Sequence, residues 1–130
     1  MATIFTKIIS GEIPSHKIAE DENYYAFLDI SPLVKGHVLV VPKIEADYIF
    51  DLDDKILSGL MIFAKKIAKA MDKALDCKRI GVEVIGLEVP HAHVHLLPLN
   101  QMDDMNFSKP KLKLTSEELM EIANKIKEKL

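Results

Sequence analysis

The sequence predicts an α+β fold: a mostly antiparallel sheet of about five strands, with one long helix and a C-terminal helix on one of its faces. Three observations predict it. Apolar residues alternate with period two in two pairs of short segments, a helical stripe fills the interval between the pairs, and a capping signature opens an amphipathic terminus. The 130 residues fit one domain, taken as 1–130, and 48% hydrophobic with 28% charged residues is ordinary globular usage.

Residues 3 to 10 read as a short helix or turn closed by Gly11 and Pro14. Tyr24 to Ile30 is rich in aromatic and aliphatic residues, and its alternation puts Tyr25, Phe27 and Asp29 on one face. Ser31-Pro32 ends this strand, Gly36 allows a tight turn, and His37 to Val41 forms the next strand, stopped by Pro42. The two make an antiparallel pair. Asp51 to about Asp76 carries Ile56, Leu60, Phe63, Ala64, Ile67, Met71 and Leu75 at helical spacing. Asp51 is the expected N-cap, with Asp53 and Asp54 placed for the helix dipole, and Gly59 costs about 1 kcal/mol against alanine. Residues 79–85 and 91–97 alternate as a second strand pair, joined by Gly86 to Pro90. Thr115-Ser-Glu-Glu118 is a capping box, and Leu119, Ile122, Ile126 and Leu130 extend a helical stripe over 115–130.

Seventeen basic against twenty acidic residues give a net charge of −3 without a long basic run, so the footprint of a duplex nucleic-acid binder is missing. No apolar run approaches the ~20 residues that span a bilayer, and the N-terminus lacks the basic-then-apolar pattern of a secretory signal. The expectation is a cytoplasmic protein without membrane contact. One cysteine, Cys77, forms no internal disulfide and reads as a small residue at a helix end.

The chemistry is concentrated in Pro90-His91-Ala92-His93-Val94-His95-Leu96-Leu97. On a strand, side chains two apart share a face, so three imidazoles line one side while Ala92, Val94 and Leu96 pack on the other. Three adjacent imidazoles are a poor way to cover a surface, since each needs a partner when buried and like charges repel. A metal site is disfavoured, because His91 and His95 would have α-carbons about 13 Å apart on an extended strand and no companion ligand motif is present. Nucleophilic attack on phosphorus fits better. A neutral imidazole attacks at physiological pH and later departs readily, and flanking donors steady phosphoryl oxygens. His93, with a histidine on each side, is the expected nucleophile; His16 has no such context and reads as a surface residue.

His91-Ala-His93-Val-His95-Leu-Leu97 resembles the His-φ-His-φ-His-φ-φ signature of the histidine-triad (HIT) family. Ile4-Phe5-x-Lys7-Ile8, Gly11-Glu12-Ile13-Pro14, Ala26 to Pro32 and Gly36-His37-Val-Leu-Val-Val-Pro42-Lys43 resemble its earlier blocks in the same order, so the likeness covers about residues 3–99. This resemblance implies a HIT-like fold and hydrolysis or transfer at the α-phosphate of a nucleotide conjugate, either a phosphoramidate or a dinucleoside polyphosphate. It implies that His93 attacks phosphorus, that His95 contacts phosphoryl and leaving-group oxygens, and that His91 and His37 support the network. Asp29 matches a ribose-hydroxyl acceptor, and Phe5, Ile8, Phe27, Leu28 and Ile30 a pocket for a purine base. Water would then release a nucleoside monophosphate. The family further implies a homodimer and a small-molecule nucleotide as ligand; no cofactor or metal is expected, since Thr3 and Thr6 stand where some relatives have a zinc-binding Cys-x-x-Cys. Gly86-Leu87-Glu88-Val89 departs from the usual polar pair before the triad, which puts Glu88 beside the substrate and suggests a cationic leaving group, or a nucleotide-binding sensor with little turnover.

Overall fold

The computed structural model describes residues 2–130. In chain order the elements are α1 (Ile4–Ser10), β1 (Lys17–Glu20), β2 (Tyr24–Leu28), β3 (Val38–Pro42), α2 (Asp54–Ala74), β4 (Arg79–Glu83), β5 (Val94–Leu99) and α3 (Ser116–Lys127), with 3-10 turns at Ile49–Asp51 and Met102–Met105. The five strands form one sheet in the order β1-β2-β3-β5-β4, every neighbouring pair antiparallel. The architecture is α+β.

Every residue of β2 and β3 is buried, because both faces of the sheet are covered. Tyr24, Ala26, Leu28, Val38, Val40, Val94 and Leu96 face α2 and α3, where Leu60, Phe63, Ala64, Ile67, Met71, Leu119, Ala123 and Ile126 complete the larger core. Tyr25, Phe27, Leu39 and Val41 face the other way and meet Phe5 and Ile8 of α1. The two long helices therefore share one face as expected, while the short N-terminal helix closes the opposite one. Thr3 caps α1 by accepting from the Thr6 N–H, and Gly11 ends it at φ 87°, a left-handed conformation that suits glycine.

The structure corrects several boundaries. Asp51 does not cap the long helix; it lies in a separate 3-10 turn, and Asp53 is the N-cap, its carboxylate accepting from Ile56 N. Three acidic residues in four satisfy the same dipole argument, so only local backbone geometry separates them. The strand expected over 91–97 begins at Val94, because His91 N–H donates to Val89 O and Ala92 N–H to Ala46 O, bonds that turn the chain into the sheet and do not extend it. Ala92 nevertheless joins Val94 and Leu96 in the core, so the alternating direction of the side chains survives. β1 was not located from the sequence: it is a four-residue edge strand with one buried side chain, Ile18, and a register shift against β2. No helix among the described residues is long and apolar enough to cross a membrane.

Candidate active site

The sheet register builds the site. Phe27, Leu39 and His95 are direct cross-strand neighbours across β2, β3 and β5, and so stand in a row on the face that α1 covers only in part. Beside this row opens a cavity of about 400 Å³. Its lining includes Phe5 and Ile8 from α1, Phe27, Leu28, Asp29 and Ile30 from β2 and the turn after it, His37, Glu88, His93 and His95. His91 does not reach it. That ring is fully buried behind Phe5, 5.7 Å between centroids, and acts on the cavity only through its neighbours.

Backbone partners set the protonation of His37, His91 and His93, and His37 passes its own on to His95. Leu33 N–H donates to His37 Nδ1 at 3.1 Å, so the ring hydrogen of His37 is on Nε2 and donates to His95 Nδ1 at 2.9 Å. The hydrogen of His95 is thereby left on its own Nε2. His93 is the reverse case: its Nδ1–H donates to the carbonyl of His91 at 2.7 Å, which leaves Nε2 with a bare lone pair. His91 Nε2–H donates to Pro42 O at 2.8 Å, and in the neutral ring Nδ1 accepts from the Thr3 hydroxyl at 2.8 Å. The same Thr3 oxygen caps α1, and Thr6 beside it donates to Glu45. The Thr3 hydroxyl thus supports the first of the three alternating histidines. Among the described residues no group of three or more His, Cys, Asp or Glu side chains is placed to hold a metal ion.

Burial is the main cause of the electrostatics. It lowers the pKa of His37 to about 3 and that of His95 to about 4, with neighbouring imidazoles and Lys111 adding to the effect. His93 is lowered as well, again chiefly by burial and against the hydrogen bond to His91 O. The three rings are therefore neutral at physiological pH. Burial raises the carboxyl of Asp29, partly offset by the Ser31 N–H that it accepts at 2.9 Å. Asp29 Oδ2 lies 3.9 Å from His37 Nδ1, but that nitrogen already accepts from Leu33 and the ring is uncharged, so the pair is not a salt bridge.

Ten of the eleven residues singled out from the sequence thus border one cavity, although the Leu28 side chain itself packs in the core under α2 and α3, and His91 stands directly behind it. Among the other residues that border it, two come from the segment after β5, which the sequence did not single out. Phe107 sets its ring edge-on to His95 at 4.9 Å and to His37 at 5.9 Å, and Lys111 holds its ammonium 4.9 Å over the Phe107 ring. Phe107 is a lone aromatic among turn residues with no periodicity to place it. His16, expected at the surface, is half-buried, its carbonyl accepting from Leu28 N–H.

The family model for the HIT domain matches residues 10–102. An uncharacterized HIT-like protein of Borreliella burgdorferi is 36% identical over 131 residues, 95% of this chain and 94% of that protein. An adenosine 5′-monophosphoramidase of Schizosaccharomyces pombe is 32% identical over 132 residues, 100% of this chain and 99% of that protein. Among solved structures, a Hit-like protein involved in cell-cycle regulation from Bartonella henselae superposes with a TM-score of 0.87 at 34% identity, over 98% of this chain and 96% of that one.

Proposed function

We propose, from the premise that this chain belongs to the HIT domain family, that it hydrolyses nucleoside phosphoramidates through a nucleotidyl-His93 intermediate. A single observation supports this above the rest: His93 and His95, 4.9 Å apart between ring centroids, carry opposite protonation at Nε2. One is a nucleophile and the other a donor. In this reading Phe5, Ile8, Phe27 and Ile30 hold a purine, Asp29 accepts from the ribose hydroxyls, and the α-phosphorus sits at His93 Nε2; the Leu28 side chain, which faces α2 and α3, takes no part. Attack forms a bond from Nε2 to phosphorus and breaks the bond to the departing amine nitrogen. The amine leaves with the proton from His95 Nε2, as positive charge forms on the adjoining His93 ring and is steadied by the His91 carbonyl. Water then adds its hydroxyl to phosphorus and returns its proton to His95, releasing the nucleoside monophosphate and free His93. Glu88 borders the same cavity and favours positive charge on the leaving nitrogen as it takes up the proton, before the bond to phosphorus breaks and the amine departs neutral. An adenosine 5′-monophosphoramidase among the full-length relatives supports the choice of substrate.

Incubation with an adenylyl phosphoramidate should release the monophosphate, and quenched enzyme should show one added nucleotidyl mass on the peptide containing His93. His93→Ala should reduce turnover by more than ~10³-fold while leaving monophosphate binding largely intact. Tight binding by the unmutated protein without any turnover would replace this reading with that of a nucleotide sensor.

We further propose that two copies associate. β4 is an edge strand with exposed Val82, and nearby Tyr48, Phe50, Met61, Ile62, Val84 and Ile85 are also exposed. Several of these line a cavity of about 520 Å³ that also borders His93. An unpaired edge flanked by this much apolar surface is a feature that monomers avoid.

A further inference from the structure

A nucleotide substrate brings negative charge into the cavity, yet the three imidazoles there are neutral and two carboxylates, Asp29 and Glu88, already border it. Among the described residues lining the cavity, Lys111 is the one lysine or arginine. It comes from beyond residue 102, outside the region that the family model matches. The segment is nevertheless tied to the site at both ends of its run. Leu112 N–H donates to Pro32 O at 2.8 Å, just past the turn that presents Asp29, and the Phe107 ring packs edge-on against His95. The Lys111 ammonium rests between the Phe107 carbonyl, at 3.3 Å, and the face of its ring, contacts weak enough to exchange for a ligand anion. Its field acts on His37 and His95 and on Asp29, whereas that of Glu88 acts on His93 and Asp29, so the two opposite charges bear on different imidazoles.

We propose that Lys111 is a specificity residue that recognises an anionic group on the leaving group, so that the preferred substrates are nucleotides joined through nitrogen to an amine that also bears a carboxylate. This rests on the phosphoramidase reading above. In that reading His95 serves the departing nitrogen, and Lys111 is the cation beside His95. A leaving group of the amino-acid class satisfies both charged residues, its nitrogen carrying positive charge once protonated and before the bond to phosphorus breaks, and its carboxylate meeting the ammonium.

Two adenylyl phosphoramidates of equal size, one of glycine and one of glycinamide, isolate that charge. The unmutated protein should favour the glycine conjugate in kcat/KM by roughly fivefold, the scale of a partly exposed ion pair, with the preference shrinking as salt rises. Lys111→Gln should bring the ratio near one, Lys111→Glu should reverse it, and Lys111→Arg should keep most of it. A ratio near one in the unmutated protein, or one that Lys111→Gln leaves unchanged, overturns the proposal while the phosphoramidase reading stands. If neither conjugate is cleaved, that reading fails and calorimetry decides on Lys111 alone. Lys111→Gln should then weaken ADP by roughly fivefold and AMP by less than twofold; equal affinities for ADP in the two proteins remove Lys111 from the site.

Discussion

A buried imidazole is useful to chemistry only if its hydrogen is on a known nitrogen, and here the assignments start from backbone groups that cannot change their role. A backbone N–H fixes His37 and a backbone carbonyl fixes His93. Thr3 extends the logic one residue further, since its hydroxyl partners His91, whose carbonyl in turn orients His93. Thr3→Val keeps the shape but strands His91 Nδ1, and should lower kcat by about tenfold at nearly constant KM; Thr3→Ser should restore it, which loss of packing alone does not explain. The titration carries a sign as well. His93 attacks only when unprotonated, and burial lowers its pKa below the ordinary imidazole value, so the acid limb of kcat/KM should have its midpoint below pH 6.5. A midpoint above 6.5 in the pH–rate profile would contradict the neutral network.

Among the elements, α2 shows how packing reverses a local preference. Gly59 looks like a weakness in a helix, worth about 1 kcal/mol if replaced by alanine. In the fold an added Cβ would fall on the Tyr24 hydroxyl, which donates to Ile56 O at 2.9 Å and joins the helix to β2. Gly59→Ala should therefore destabilise the protein by about 1–3 kcal/mol in urea unfolding, against the propensity scale. Tyr24→Phe combined with Gly59→Ala should recover part of that loss, because the hydroxyl is the atom in the way. The terminal helix follows local rules throughout: Thr115 and Glu118 exchange backbone bonds at 3.1 Å each, as the tetrapeptide indicates.

For the whole molecule, the same burial that keeps the histidines neutral stores a pH dependence in the fold. His37 has a pKa of about 3 in the folded chain and about 6.5 when unfolded. Between these values the unfolded state holds a proton that the folded state refuses, so stability is complete above about pH 6.5 and declines as the pH drops toward 3. The decline should be on the order of a few kcal/mol, visible as a falling urea midpoint, and flatter in His37→Asn. The exposed face around Phe50 and Ile62, 72% and 69% accessible, belongs to the same scale. Light scattering should report twice the chain mass, and Phe50→Asp with Ile62→Asp should return it to the chain mass with secondary structure unchanged.

Wherever a short-range period or a tightly spaced motif was at work, the linear chain was sufficient: the strands at 24 and 38, the stripe of α2, the capping box, and the alternating histidines opposite Ala92, Val94 and Leu96. These depend on neighbours within a few residues, which a sequence displays directly. Position along the chain could not say which of three aspartates caps α2, that His91 withdraws behind the cavity, or that Phe107 and Lys111 return to it from outside the recognised blocks. Those outcomes were decided by hydrogen bonds and ring contacts between segments tens of residues apart, Thr3 with His91, Leu33 and His37 with His95, Pro32 with Leu112. Local pattern determines what each segment can become; closure of the chain on itself determines which atoms meet and which nitrogen keeps its proton.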